Sequence, residues 1–327
     1  MNVVVFGAGA VGLGIGSCLI RAGARVTFVA RADTQQHLEQ QGLQRSGLFG
    51  EMQIPPNRFT VVSRIADVGA EEPVDFVLVC IKSFDSPAAA EELSTAAVGR
   101  ADSCKIVLFQ NGWGNFEVFA QRFEPRRVFN ARVITGFRRV APGHVDVTVH
   151  ADAIKIGSLA GADVAQVEAL ARLITEGGIP AQATPTIERD LWAKMLYNCC
   201  LNPLGAVLQV KYGRLGDSEA TKAIMNEIAG EVFTVMRAAG HETHWDSAVS
   251  FLAAFYGQML PATYAHRSSM LQDLTAGRRT EIDAMSGAVV ELGERFGRPT
   301  PYNRAMRDLV RFKETVDSGQ RAVGSRQ

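Results

Sequence analysis

Lys194, Asn198 and Asn202 recur at every fourth position within Leu191-Trp192-Ala193-Lys194-Met195-Leu196-Tyr197-Asn198-Cys199-Cys200-Leu201-Asn202. On a helix this spacing stacks one ammonium and two amides along a single face. The flanking Leu191, Trp192, Met195, Leu196, Cys199 and Leu201 are apolar, so the stripe belongs to an element otherwise suited to burial. A buried polar group costs free energy unless it finds a partner, here other side chains or a ligand. The chemistry such a face suits is attack on a carbonyl carbon: an ammonium stabilises the negative charge that builds on the oxygen and can donate the proton. Pro203 has no N–H to continue the helix, so it is expected to end or kink it and aim Asn202 into a cleft. Cys199 and Cys200 lie off the polar face and are expected to pack in the core.

A second chemical signal stands at the start of the chain. Gly7-Ala8-Gly9-Ala10-Val11-Gly12 follows the short apolar run Asn2 to Phe6 and precedes an apolar helix reaching about Ala22. Strand, G-x-G-x-x-G and helix in that order are the context of a dinucleotide site. Gly7 permits the tight turn, Gly9 lets the backbone approach a pyrophosphate, and Gly12 lets helix pack on strand. The helix N-terminus offers free N–H groups to phosphate. The second strand, Arg25 to Ala30, ends in Arg31-Ala32-Asp33. An acid there reads an NAD ribose and an arginine accommodates a 2′-phosphate. Arg31 therefore favours NADP(H), with a plain surface charge as the alternative. Asp33 is expected to cap the next helix, around Thr34 to Gln41, or else to read an NAD ribose.

Other polar groups sit where open α/β sheets bind ligands, at the carboxyl ends of strands. Lys82 follows Phe76–Ile81 and is suited to a cofactor phosphate or to solvent; Asn111 follows Ile106–Phe109 and is suited to a ribose, a substrate or a turn. Ser269 and Glu281, taken alone, suit a helix cap and a first-turn acid.

The elements that position these groups alternate up to about Pro185. Strands are expected at Phe59–Val62, Phe76–Ile81, Ile106–Phe109, Arg127–Ile134, His144–Ile156 and Ile179–Ala183, with helices near 87–97, 115–121 and 164–176. A hairpin spans Gly136 to His150, turning at Pro142-Gly143; its His144 and His150 are read as structural or surface residues, and no metal site is assigned. The fold class is α/β: an N-terminal Rossmann-type doubly wound sheet over 1–185 and an all-helical domain over 186–316, with a polar tail at 317–327 expected to fray. The helices expected in the second domain are 187–202, 219–239, 245–257, 269–276, 281–296 and 301–316.

The bulk numbers exclude several classes. With 34 Lys plus Arg against 34 Asp plus Glu there is no electrostatic reason to expect nucleic acid or an anionic membrane. Val3 to Ile20 is uncharged but broken by five glycines, so no membrane or export segment is assigned. Five scattered cysteines without C-x-x-C point to free thiols in a reducing cytoplasm. The helical domain has enough apolar length for a homodimer face, but no segment identifies one.

Together, Gly7-x-Gly9-x-x-Gly12, Arg31, Lys82, Gln110-Asn111-Gly112, Lys194-x-x-x-Asn198-x-x-x-Asn202, Ser268-Ser269-Met270-Leu271-Gln272-Asp273 and Arg279-Thr280-Glu281-Ile282-Asp283 resemble the ketopantoate reductase (2-dehydropantoate 2-reductase) family over nearly the whole chain. The last two motifs are the narrowest and carry most of the resemblance. It implies NADPH lying across Gly7–Gly12, with its 2′-phosphate on Arg31 and further contacts from Lys82 and Asn111. It implies Lys194 as general acid, Asn198 and Asn202 on substrate oxygens, Ser269 on the substrate carboxylate, and Glu281 on the cofactor or Lys194. The implied product is pantoate, on the route to pantothenate and coenzyme A. A dehydrogenase of another 2-oxo or 2-hydroxy acid shares most of this pattern. A non-catalytic NADP(H) sensor is a third class, against which the intact proton donor argues.

Overall fold

The computed structural model describes residues 1–69 and 73–324, the side chains of 317–324 excepted. The chain divides into two compact units, one made of Met1–Gln110 and Asn115–Ile187, the other of Asn111–Gly114 and Glu188–Gln327.

Among the described residues twelve strands form in the first unit: β1 (Asn2–Phe6), β2 (Arg25–Val29), β3 (Leu43–Gly47), β4 (Met52–Ile54), β5 (Thr60–Val62), β6 (Phe76–Val79), β7 (Lys105–Leu108), β8 (Val128–Arg132), β9 (Thr135–Ala141), β10 (His144–His150), β11 (Ile154–Gly157) and β12 (Ala181–Ala183). Eight of them make one sheet in the order β12-β11-β8-β7-β6-β1-β2-β5. Every neighbouring pair is parallel except β8 with β11. The strands are apolar on both faces because both faces are covered. Val3, Val5 and Leu78 pack into one core with Phe28 and the first helix, Ala10–Arg21, whereas Val4, Phe6, Val77 and Val79 pack into another with Leu93 and Phe119. Strand order reverses between β1 and β6, which is where ligands bind in doubly wound sheets.

A second sheet, β4-β3-β10-β9, holds the expected hairpin as β9 and β10, whereas β3 and β4 were not legible in the sequence. Its strand β3 reads Leu-Gln-Arg-Ser-Gly, too polar to stand out as a strand. The expected single strand 144–156 is broken in two: β10 pairs antiparallel with β9 in the small sheet, and β11 pairs antiparallel with β8 in the large one. Arg45 of β3 is wholly buried and donates to Ser17 Oγ (3.2 Å), Cys18 Sγ (3.0 Å) and the Gly177 carbonyl (3.2 Å). The expected structural roles of the hairpin histidines have visible partners, since His144 bonds Ser46 Oγ and His150 bonds Thr135 Oγ1.

The second unit is helical, with principal helices at Ile187–Leu208, Glu219–Ala238, Ala248–Ala254, Ser269–Thr275, Ser286–Arg295 and Pro301–Gly324. The helix carrying Lys194 does not stop at Pro203 but runs on to Leu208. Proline removes one backbone hydrogen bond, and Leu201, Leu204 and Ala206, all buried, hold the following turn in place. The segment after Glu281 forms a short 3-10 turn, Ile282–Ala284, before the helix from Ser286 begins. The tail expected at 317–327 continues the last helix in its backbone to Gly324; its side chains and residues 325–327 lie outside the described residues. Among the described residues no helix is long and apolar enough to cross a membrane.

Candidate active site

In the first unit the glycine-rich turn links β1 to the Ala10–Arg21 helix. Gly7 has φ +110°, and a Cβ there would lie 2.8 Å from Ile81 Cγ2. A Cβ on Gly12 would lie 2.0 Å from the Gly7 carbonyl oxygen, so both positions require glycine. At Gly9, by contrast, a Cβ would meet nothing within 4 Å among the described residues. Ala8, Gly9, Ala10 and Val11 thus wrap the helix N-terminus, whose first-turn N–H groups carry positive character.

Arg31 stands at the N-cap of the helix Ala32–Gln41, its side chain 90% exposed and 3.6 Å from Asp85. An exposed ion pair of this length is weak and can yield to a phosphate. Asp33 does not cap the helix: it lies within the first turn and pairs with Arg139 at 3.1 Å. Burial pushes its carboxyl upward, but the Thr34 amide and Arg139 outweigh that and hold it below the usual carboxylate range. Asp33 is therefore occupied by an arginine from β9, a partner that 106 residues of sequence separation concealed. Lys82, half-buried, follows β6 at the N-cap of the 3-10 turn Ser83–Asp85. Gln110 Nε2 donates to Ser86 Oγ at 2.7 Å, closing the end of β7.

In the second unit three of the expected residues meet. Lys194 Nζ donates to Asn111 Oδ1 at 2.7 Å, and Asn111 Nδ2 donates to Glu281 Oε2 at 3.1 Å. Asn111 reaches this unit because Gly112 takes φ +88° and Trp113 N–H donates to the Ala284 carbonyl at 2.8 Å. Glu281, only 5% exposed, forms the N-cap of the Ile282–Ala284 turn rather than the first turn of a longer helix. That loop is pinned on both sides: Thr280 N–H donates to Glu314 at 2.7 Å, and Asp283 pairs with Arg279 and Arg311.

Asn198, four residues beyond Lys194, is 7% exposed, and its side-chain amide has no hydrogen-bond partner among the described residues. Asn202 is different. Its Oδ1 accepts from the buried Tyr212 hydroxyl, and its Nδ2 points at Met285 Sδ at 3.6 Å, a weak acceptor. Nothing local in the sequence marks Tyr212 or Met285 as neighbours of Asn202. Ser269 opens the helix Ser269–Thr275, but the cap is Ser268, whose Oγ accepts from Leu271 N–H at 2.9 Å. The Ser269 hydroxyl is half-buried and makes no hydrogen bond among the described residues. Cys199 and Cys200 are wholly buried; burial pushes the Cys199 thiol up to about 12 and that of Cys200 well above its ordinary value. Among the described residues no three or more His, Cys, Asp or Glu side chains are grouped to hold a metal ion.

Comparison with known proteins gives this geometry a context. The family described as ketopantoate reductase PanE/ApbA matches residues 3–161, and its C-terminal counterpart matches 186–314. The 2-dehydropantoate 2-reductase of Aquifex aeolicus is 34% identical over 96% of this chain and 97% of its own. That of Archaeoglobus fulgidus is 31% identical, over 96% and 98%. A crystal structure of a PanE/ApbA family ketopantoate reductase from Ralstonia eutropha superposes with a TM-score of 0.83 at 31% identity, covering 97% of this chain and 99% of the other.

Proposed function

The chain belongs to the ketopantoate reductase family of oxidoreductases, and from that premise we propose that it reduces 2-dehydropantoate to pantoate with NADPH. The observation that carries the chemistry is the chain of contacts Lys194–Asn111–Glu281. NADPH, when bound, supplies the hydride to the ketone carbon; orientation and charge come from the protein. The turn from Gly7 to Gly12 fits the pyrophosphate, since the space before Gly9 and a helix N-terminus that no side chain caps are what an anion needs. Arg31 takes the 2′-phosphate once it leaves Asp85, and Lys82 adds a second positive charge on the unit. Asp33 pairs with Arg139, and an NAD ribose would have to displace that partner.

Lys194 donates the proton to the ketone oxygen as negative charge develops there. Asn111 turns its carbonyl oxygen toward the ammonium and thereby fixes its direction. The Glu281 carboxylate at the far end of Asn111 favours a positively charged lysine. Asn198 is the first candidate for a substrate oxygen, because its nearly buried amide has no protein partner among the described residues. Asn202 contributes Nδ2, which a substrate oxygen captures more strongly than the Met285 thioether does, while Tyr212 holds the other end of the amide. The Ser269 hydroxyl serves the substrate carboxylate. The product feeds pantothenate and coenzyme A synthesis in the cytoplasm, a setting that suits five free thiols.

The test is NADPH oxidation followed by absorbance, with 2-dehydropantoate beside a panel of straight, branched and aromatic 2-oxo acids. Turnover of 2-dehydropantoate at a kcat/KM above the rest supports the assignment; robust turnover of only another acid overturns it.

A further inference from the structure

The sequence His241-Glu242-Thr243-His244-Trp245 follows the helix Glu219–Ala238 and plays no part in the chemistry described above. It lies along the first turn of the Lys194 helix, residue against residue. His241 Nδ1 is 3.0 Å from Glu188 Oε1, Arg189 is 2.6 Å from Glu242, and His244 Nε2 is 3.0 Å from Asp190 Oδ1. Thr243 Oγ1 donates to the Arg189 carbonyl at 3.4 Å.

One of these side chains reaches further. The His241 ring lies 4.8 Å from the Trp113 ring and 5.5 Å from the Trp192 ring, and the two indoles are themselves 4.6 Å apart. Trp113 is two residues beyond Asn111, and Trp192 is two residues before Lys194. The two rings therefore belong to the two chain segments that supply the 2.7 Å Lys194–Asn111 bond. Trp192 is wholly buried and its Nε1–H has no partner among the described residues, so packing and not a hydrogen bond from its indole sets its orientation. The imidazole, anchored through Nδ1 to Glu188, closes a three-ring cluster that joins both segments.

We propose that His241 is a positioning residue for the proton donor: its ring locks Trp113 against Trp192 and so fixes the distance between Asn111 and Lys194. The proposal rests on the reading of Lys194 as the general acid. Exposed pairs such as Arg189–Glu242 contribute little to this lock, because solvent screens them. The ring is the working part, and the hydrogen bond to Glu188 keeps it in place.

Two readouts on the full chain test this, one of them independent of activity. With 2-dehydropantoate and NADPH, His241→Ala is expected to lower kcat by about ten- to a hundredfold, since small misplacements of a catalytic group cost that much. The Kd for NADPH is expected to stay within about threefold of the unchanged protein, because none of the three rings belongs to the unit that carries the glycine-rich turn. His241→Phe, which keeps a flat ring, restores most of kcat. In parallel, 15N-lysine NMR follows the Lys194 ammonium, identified by its loss in Lys194→Ala; this signal is expected to move in His241→Ala and return in His241→Phe. An unmoved Lys194 signal or an unchanged kcat in His241→Ala overturns the proposal, as does a loss of equal size in Glu242→Ala. If the unchanged protein reduces no 2-oxo acid, the assigned function fails, and the lysine signal still decides whether His241 places Lys194.

Discussion

Lys194 and Asn111 lie 83 residues apart in sequence and share a 2.7 Å hydrogen bond, ammonium to amide carbonyl. The same amide donates to Glu281, so Asn111 bonds an ammonium at one end and a carboxylate at the other. Replacing Lys194 by alanine removes the proposed proton donor and leaves the glycine-rich turn untouched. The expected result is a loss of about 10²–10⁴ in kcat, the usual worth of a positioned acid. NADPH affinity, measured by fluorescence titration, should change only a few-fold. A kcat within threefold of the parent would remove Lys194 from the acid role.

On the proposed function, Arg31 sets the preference for NADPH over NADH. Its side chain is exposed and bound only loosely to Asp85, so its removal leaves no buried partner stranded. A charged hydrogen bond is worth about 1.5–3 kcal/mol. Arg31→Ala is therefore expected to raise KM for NADPH about ten- to a hundredfold, at about 1.4 kcal/mol per tenfold, and to leave KM for NADH nearly unchanged. Equal effects on both cofactors would place the 2′-phosphate elsewhere.

Gly112 is the hinge that brings Asn111 to its partners. Its φ of +88° is left-handed, and a Cβ would lie 2.3 Å from the Ala284 carbonyl oxygen. For alanine the left-handed backbone alone costs about 1–2 kcal/mol, and relief of the clash must displace the loop beside Glu281. Gly112→Ala should lower unfolding free energy in urea by at least this amount and lower kcat as well. A fully active and equally stable variant would show that the close approach to Ala284 is not maintained in solution.

The cysteines should be silent. Burial raises Cys199 to about 12 and Cys104 to about 11, and pushes Cys80 and Cys200 upward too, so thiolate is scarce at pH 8. Folded protein treated with iodoacetamide at pH 8 should keep its activity and show little alkylation at these positions by mass spectrometry. Reactivity should appear only as the pH climbs toward the raised values or as the chain unfolds. Rapid modification of Cys199 with loss of turnover would instead place a reactive thiol on the Lys194 helix.

What the sequence determined by itself was everything that short-range geometry controls. The turn after β1 needs glycine for local reasons: Gly7 takes φ +110°, and a Cβ on Gly12 would meet the Gly7 carbonyl five residues back. The four-residue spacing of Lys194, Asn198 and Asn202 likewise follows from helical geometry alone. Tertiary structure decided which of these groups meet. Asn111 leaves the end of β7 yet packs with the helical unit, and Asp33 pairs with Arg139 of the hairpin, 106 residues away, a pairing no local pattern records. Asn198 and Asn202 read alike in sequence, but Tyr212 holds Asn202 and no described side chain holds Asn198. Period fixes the face a side chain occupies, whereas the partner on that face is set by packing between segments far apart in the chain, where no local pattern records the pairing.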